Sequence, residues 1–384
     1  MLTKNINFTN YLIKGNQSKI RNKLNSLLSK NLAVLTSLKA SYQNSYKKKF
    51  ISKLKNYTNI RIIGMGGSIL GAEAIHDFLK FKIIKNFSFI NNLSTKNYYF
   101  KNNKKNLNII ISKSGNTLET ISNVNILIKK KDKNIFITEN KKSYLRSLAN
   151  KLKSEIIHHN NFIGGRYSVL SEVGMLPAEL MGLKEKKFKQ FNNLVKNKKF
   201  VNNLIYNVSA ILELQKKKST SIILNYDQSS DNFFRWYQQL VAESLGKKSK
   251  GILPVISTMP KDNHSLMQLY LDGPQKNFYT FFYVLEKNVF RIDKKKILSD
   301  HNYLKNKSIN QIIYSQKLAT EKVFNQKKIP FRSFEILNRS EESIGELFCF
   351  FILETILLGM AMNVNPFDQP SVELIKEETI KNLI

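Results

Sequence analysis

One cysteine in 384 residues excludes a disulfide framework within the chain and any zinc or iron–sulfur site built from several thiolates. Cys349 stands in the apolar run Phe348-Cys349-Phe350-Phe351, the setting of a buried, inert thiol. Such cysteine poverty fits a reducing compartment, and a cytoplasmic location is expected. No secretory signal is expected, because Met1 to Asn10 holds no apolar core of the needed length. A membrane span is missing too: the most lipid-like window, residues 344–362, is interrupted by Glu346 and Glu354 and reads as a buried helix. Acidic residues are scarce, 28 against 62 basic ones, for a formal charge of +34. The excess is lysine, spread along the chain in runs such as Lys47-Lys48-Lys49 and Lys294-Lys295-Lys296, while arginine stands only at scattered places such as Arg61, Arg166, Arg235 and Arg332. Base readers depend on arginine forks, and a nucleic-acid surface needs a concentrated stripe. Dispersed lysine reads as solvated faces, so no nucleic-acid partner and no membrane partner are expected.

Length and 42% hydrophobic content allow a sizeable core and favour two domains. Up to about Lys55 the leucines fall at helical spacing (Leu24, Leu27, Leu28, Leu32, Leu35, Leu38) without turn punctuation, so 1–50 reads as a helical segment. An α/β series follows. Ile60-Arg61-Ile62-Ile63 is a short β-branched run, residues 69–80 read as a helix, and buried-strand candidates recur at 87–90, 107–111, 135–138 and 155–158. A second series begins near Thr220, with strands at 221–226, 278–285 and 329–336 and a helix at 233–245. Strands alternating with helices imply doubly wound parallel sheets in αβα layers. The lysine-rich stretch 184–199 is the natural junction, giving α/β units at 51–190 and 191–362 and a carboxyl-terminal segment at 363–384.

Several segments carry chemistry. In Ile111-Ser112-Lys113-Ser114-Gly115-Asn116-Thr117-Leu118-Glu119-Thr120 a buried strand runs into a turn that opens a helix. Backbone N–H groups, the positive end of the helix dipole and the hydroxyls of Ser112, Ser114, Thr117 and Thr120 then converge on one point, a phosphate cradle without Walker spacing. Gly64-Met65-Gly66-Gly67-Ser68 ends the neighbouring strand but lacks G-x-G-x-x-G, and no acidic residue follows where a ribose partner would sit. That argues against a dinucleotide site and for close backbone approach to a ligand. Gly164-Gly165-Arg166-Tyr167-Ser168 sets a cation behind two glycines, suited to developing negative charge or to a structural ion pair. Gln239 and Glu243 lie four apart on one helix face ahead of Gly246, where a carboxylate is solvated or, in the right company, catalytic. Asn263 can cap a helix beside His264, and the chain end from Asn365 forms a short helix carrying Gln369 and Lys376. No Cys, His or carboxylate cluster is spaced for a metal, and no cofactor is expected.

Taken in order from about Ile60 to Lys376, these segments resemble the glucose-6-phosphate isomerase family, whose fold is two sugar-isomerase (SIS) α/β domains. The specific segments are Gly164-Gly165-Arg166-Tyr167-Ser168, Glu243-Ser244-Leu245-Gly246-Lys247, and Phe367-Asp368-Gln369 through Lys376. The resemblance implies a metal-free aldose–ketose isomerase that interconverts glucose 6-phosphate and fructose 6-phosphate through a cis-enediolate. It implies that Ser112, Ser114, Thr117 and Thr120 hold the phosphate with Lys113 alongside, that Gly67 and Ser68 approach the sugar, and that Gln239 and Gln369 assist binding. By the same carry-over Arg166 stabilises the enediolate, Glu243 shuttles the proton between C2 and C1, and His264 and Lys376 serve ring opening. It further implies a homodimer in which His264 enters the partner's site.

Three departures stand out: Ser371 replaces a usual glycine, Glu172 replaces a small residue two positions before Gly174, and the stretch 258–264 is longer than usual. The rival readings are an isomerase of mannose 6-phosphate or an amino-sugar phosphate on the same fold, and a non-catalytic sugar-phosphate regulator. The Gly-Gly-Arg segment together with Gln369 and Lys376 favours the glucose enzyme. The regulator would need a DNA-binding module that the segment before Ile60 is too short to supply.

Overall fold

The computed structural model describes residues 1–30, 32–94, 106–129, 131–286 and 290–384. Its first element corrects the expectation of an all-helical segment at 1–50: β1 (Ile6–Thr9) is a strand, antiparallel to a strand more than 300 residues downstream. Alternation explains it. Ile6 and Phe8 are buried while Asn7 and Thr9 face outward, a period of two rather than 3.6, and Phe8 packs 4.4 Å from Phe334 between ring centroids. The leucine pattern takes over only after Asn16, whose side chain accepts from the Lys19 N–H and caps the helix Gln17–Ser29.

The β-branched runs then build a first sheet from β2 (Asn59–Gly64), β3 (Asn86–Ile90), β4 (Leu107–Ile111), β5 (Lys133–Thr138) and β6 (Glu155–His158), all parallel, in the order β3-β2-β4-β5-β6. β2 and β4 are buried along their whole lengths, as strands covered by helices on both faces must be. A second sheet holds β7 (Thr220–Asn225), β8 (Leu253–Thr258), β9 (Asn277–Val284) and β10 (Phe331–Ile336), with β1 at its edge. Its order, β8-β7-β9-β10-β1, repeats that of the first sheet, with the amino-terminal strand standing in the fifth place. β8 has no counterpart among the sequence-based strands because it contains Pro254. As an edge strand it tolerates a residue without an N–H.

The lysine-rich stretch 184–199 is folded rather than loose, with helices at Glu185–Phe188 and Phe191–Lys196. Lys189 is buried inside it and donates to the carbonyls of Ser37 and Leu170. The expected buried helix is Glu341–Met362, with Cys349 in its core face and the thiol pushed up to about 12 by burial. Phe233, Phe234 and Trp236 of the helix Asp231–Leu245, Phe348 and Phe351 of Glu341–Met362, and Ala74 and Phe78 of the helix Leu70–Phe78 share one apolar core. That core packs helices belonging to the two sheets against each other.

In such sheets the ligand crevice opens at the carboxyl ends of the strands where the order reverses. Here that is between β2 and β4 in the first sheet and between β7 and β9 in the second. At the second, Arg339 reaches Asp227 at 2.7 Å and Glu286 at 2.6 Å.

One buried acid sits beside the helix contact. Glu73, on Leu70–Phe78, accepts from Asn91 at 2.8 Å, its second oxygen has no partner, and burial pushes its carboxyl up to about 7. Asp77 pushes the same way, while the Asn91 bond and Arg235 oppose. A carboxyl raised on folding contributes most below the unfolded value near 4.5 and loses that contribution as pH climbs through about 7. Glu73→Gln is therefore expected to stabilise the protein by on the order of 2–3 kcal/mol at pH 8 and by little at pH 4.5. Urea unfolding at the two pH values checks this, and equal effects at both would contradict it.

Candidate active site

β2 leads into a 3₁₀ turn, Gly66–Ser68, whose backbone is pressed against two other segments. Gly66 has φ +53°, and a Cβ there would lie 2.6 Å from the Gln239 amide nitrogen. A Cβ on Gly67 would lie 2.2 Å from the carbonyl carbon of Gly165. Only glycine allows the turn after β2, the turn before Arg166 and the helix carrying Glu243 to meet this closely.

Arg166 is 3% exposed and lies at their junction. Its Nη1 donates to Glu243 Oε2 at 3.0 Å and to Gln369 Oε1 at 2.7 Å, and its Nη2 to the carbonyls of Pro366 and Asp368 at 2.7 and 3.0 Å. The other Glu243 oxygen accepts from Gln239 Nε2 at 2.9 Å. Glu243 thus sits between an arginine and an amide, with its side chain 31% exposed toward solvent. A carboxylate fixed on one side and open on the other can exchange protons with a bound molecule. An adjacent guanidinium can neutralise an oxyanion formed there.

The turn after β4 has the form read from the sequence. Ser112 Oγ lies 2.9 Å from Thr117 Oγ1 and accepts from the Gly115 N–H, and Ser114 Oγ accepts from the Asn116 N–H. Thr117 stands at the N-cap of the helix Leu118–Leu127 without capping it through its side chain, so the first-turn N–H groups remain open. Thr120 is fully buried and its hydroxyl has no partner. The open N–H groups and the hydroxyls of Ser114 and Thr117 can meet a phosphate there, whereas the Thr120 hydroxyl is enclosed, against the expectation from the sequence. Lys113 turns aside: its Nζ donates to the Asn161 carbonyl at 2.7 Å and lies 3.5 Å from Glu139.

Arg166, Glu243, Gln239 and Gln369 are therefore brought into contact, with Gly66 and Gly67 against them. His264 and Lys376 are not. His264 is exposed, and Lys376 pairs with Glu373 at 2.7 Å. Among the described residues no hydrogen bond or ion pair joins either to Arg166 or Glu243. Two local expectations need correction. Asn263 lies in a 3₁₀ turn rather than capping a helix, because Asp262 organises the loop instead, accepting from Ser257, the Thr258 N–H and Ser265. Gln369 precedes the last helix, Ser371–Leu383, instead of riding on it, since Pro370 supplies the helix start. The departure at Glu172 is accommodated by Tyr42, whose hydroxyl donates at 2.7 Å, and by the Asn160 N–H.

Sequence reasoning missed Ser244, Tyr167 and Lys247. Lys247 Nζ caps the end of the Glu243 helix, donating to the carbonyls of Glu243 and Ser244, and reaches the Asn365 carbonyl and Asp368. All three lie inside the quoted motifs. The partners that give them their roles lie 77 or more positions away and were not visible in the chain order. Among the described residues no three His, Cys, Asp or Glu side chains gather in a way that could hold a metal ion.

Residues 16–257 match a sequence model described as phosphoglucose isomerase. A glucose-6-phosphate isomerase of Methanocaldococcus jannaschii is 34% identical over 338 residues, covering 83% of this chain and 83% of its own. One of Mycoplasmopsis pulmonis is 34% identical over 352 residues, covering 84% and 82%. Among solved structures, a hypothetical protein of Thermus thermophilus superposes with a TM-score of 0.83 at 21% identity, covering 96% of this chain and 94% of its own. A Chlamydia trachomatis glucose-6-phosphate isomerase gives 0.69 at 18% identity, covering 91% and 77%. At those identities the two structures bear on the fold alone.

Proposed function

The chain belongs to the phosphoglucose isomerase family, and from that premise we propose how its residues interconvert glucose 6-phosphate and fructose 6-phosphate. The observation that carries the assignment is the Arg166–Glu243 contact at 3.0 Å, flanked by Gln239 and by the glycine turn.

The sugar phosphate enters with its phosphate on Ser112, Ser114 and Thr117 and the first-turn N–H groups. Gly67 and Ser68 line its approach. Once the ring is open, Glu243 takes the C2 proton of the aldose, the electron pair moves to the C1 carbonyl oxygen, and a cis-enediolate forms. A proton beside a carbonyl is only weakly acidic, so base and oxyanion stabiliser must be fixed together. Arg166 supplies the second half, and Gln239 and Gln369 hold Glu243 and Arg166 in register. Glu243 then returns the proton to C1, an oxygen proton passes from O2 to O1, and the ketose results. Ring opening falls to His264 and Lys376, with His264 supplied by the partner in a homodimer. The exposure of His264, with no hydrogen bond or ion pair from it to its own chain's Glu243 among the described residues, supports that arrangement. A cytoplasmic site of action and the division into units 51–190 and 191–362 belong to the same reading, with β1 serving the second unit.

Purified protein supplied with fructose 6-phosphate, with product read through glucose-6-phosphate dehydrogenase, is expected to turn over at a rate unchanged by EDTA, because a base and an oxyanion partner are both furnished by side chains. Loss on chelation restored by zinc or manganese would overturn the metal-free mechanism.

A further inference from the structure

Arg166 has five N–H donors and the structure places all of them: Nη1 on Glu243 and Gln369, Nη2 on Pro366 and Asp368, and Nε on Ser244 Oγ at 2.9 Å. The Nε contact opens a chain of hydroxyls. Ser244 Oγ lies 2.8 Å from the Tyr167 hydroxyl, which lies 2.9 Å from the Pro366 carbonyl. Its polarity follows from chemistry alone. A carbonyl only accepts, so Tyr167 donates to Pro366; Tyr167 must then accept from Ser244, and Ser244 accepts from Arg166 Nε. Burial pushes the Tyr167 phenol up, so it stays an O–H donor. Ser244 and Tyr167 are buried throughout, and buried, directed chains of this kind hold geometry tightly.

The chain joins three parts that must agree. Ser244 follows Glu243 on the same helix, Tyr167 follows Arg166 on the 3₁₀ turn Gly165–Leu170, and Pro366 begins the strand of backbone that delivers Gln369. We infer that Ser244 and Tyr167 are positioning residues that fix the angle of the Arg166 guanidinium between Glu243 and the carboxyl-terminal segment. This rests on the isomerase reading above. Among the described residues no hydrogen bond or ring contact joins either side chain to the turn that takes the phosphate, so their influence falls on the oxyanion step and not on substrate capture.

Tyr167→Phe removes the single hydroxyl and keeps the ring, which packs against Phe367 at 5.7 Å and under the Arg166 guanidinium at 5.4 Å. It is expected to lower kcat about 10- to 100-fold, the size of effect that misplacement of a catalytic group produces, with KM changed less than about threefold. Two ligands separate positioning from damage. A phosphorylated five-carbon aldonate, whose planar carboxylate imitates the enediolate, should lose affinity in step with kcat. A phosphorylated hexitol, which has no such group, should bind as before. The ratio of the two affinities does not depend on how much of the variant is folded. Ser244→Ala should reproduce the pattern, and the double variant should be no worse than the worse single one, since both cut one chain. An unchanged kcat, or equal weakening of both ligands, overturns the inference. The parent protein in the same assay tests the isomerase reading separately, because its inactivity would remove the reaction itself.

Discussion

Glu243→Gln is expected to lose about three or more orders of magnitude in turnover while still binding the sugar phosphate. The amide keeps the shape of the carboxylate and can still accept from Arg166 or Gln239 through its one oxygen, so the environment of the side chain is largely preserved. It cannot take a carbon-bound proton. In the proposed reading binding rests on the turn after β4, whereas the Glu243 carboxylate bonds to Arg166 and Gln239. The result should therefore appear as a fall in kcat with KM little changed, the signature of an interaction lost only along the reaction path. Turnover within about tenfold of the parent would remove Glu243 from the proton transfer.

A mixture of two inactive proteins is expected to regain activity. If His264 serves the site whose Glu243 belongs to the other chain, homodimers of Glu243→Gln and of His264→Ala each carry two damaged sites. In a mixed dimer, one site collects both substitutions and the other collects neither. Unfolding the two variants, mixing them equally and letting them reassociate at random should make about half the dimers mixed and restore roughly a quarter of all sites. The test bears on a residue that the structure leaves outside the Arg166–Glu243 contact, since His264 follows the loop organised by Asp262 and is exposed. Mixed dimers seen by mass, with no activity above the two parents, would mean that His264 acts within its own chain or not at all in catalysis.

Local chemistry was readable where the residues that explain an element lie next to one another. The runs 60–63, 107–111 and 155–158 became β2, β4 and β6, and the turn from Ser112 leads into a helix at Leu118 as its composition implies. What failed was pairing across distance. β1 is too short to announce itself against the leucine spacing that follows, and β8 hides behind Pro254, whose cost disappears only at an edge. In the site, Glu243 and Arg166 could be named from their motifs. That a serine beside the first would take the Nε of the second depends on how a helix of one sheet packs against a turn of the other. The same limit applies to Lys247, whose task becomes clear only when Asn365 and Asp368 arrive beside it.

The strand β1 has a consequence for the order in which the molecule can be completed on the ribosome. Thr3 bonds to Glu346, 343 positions away, and Ile6 pairs with Ile336. At about 5–20 residues per second, the amino terminus waits roughly 20–70 s for its partners to be synthesised. Throughout that interval Ile6 and Phe8 have no sheet to cover them, and β10, when it emerges, presents an unpaired edge until β1 returns. A nascent chain shortened by its first ten residues would keep every group around Arg166 and still finish with that edge open. Its defect would be self-association during synthesis, while the chemistry of each correctly finished molecule stayed the same.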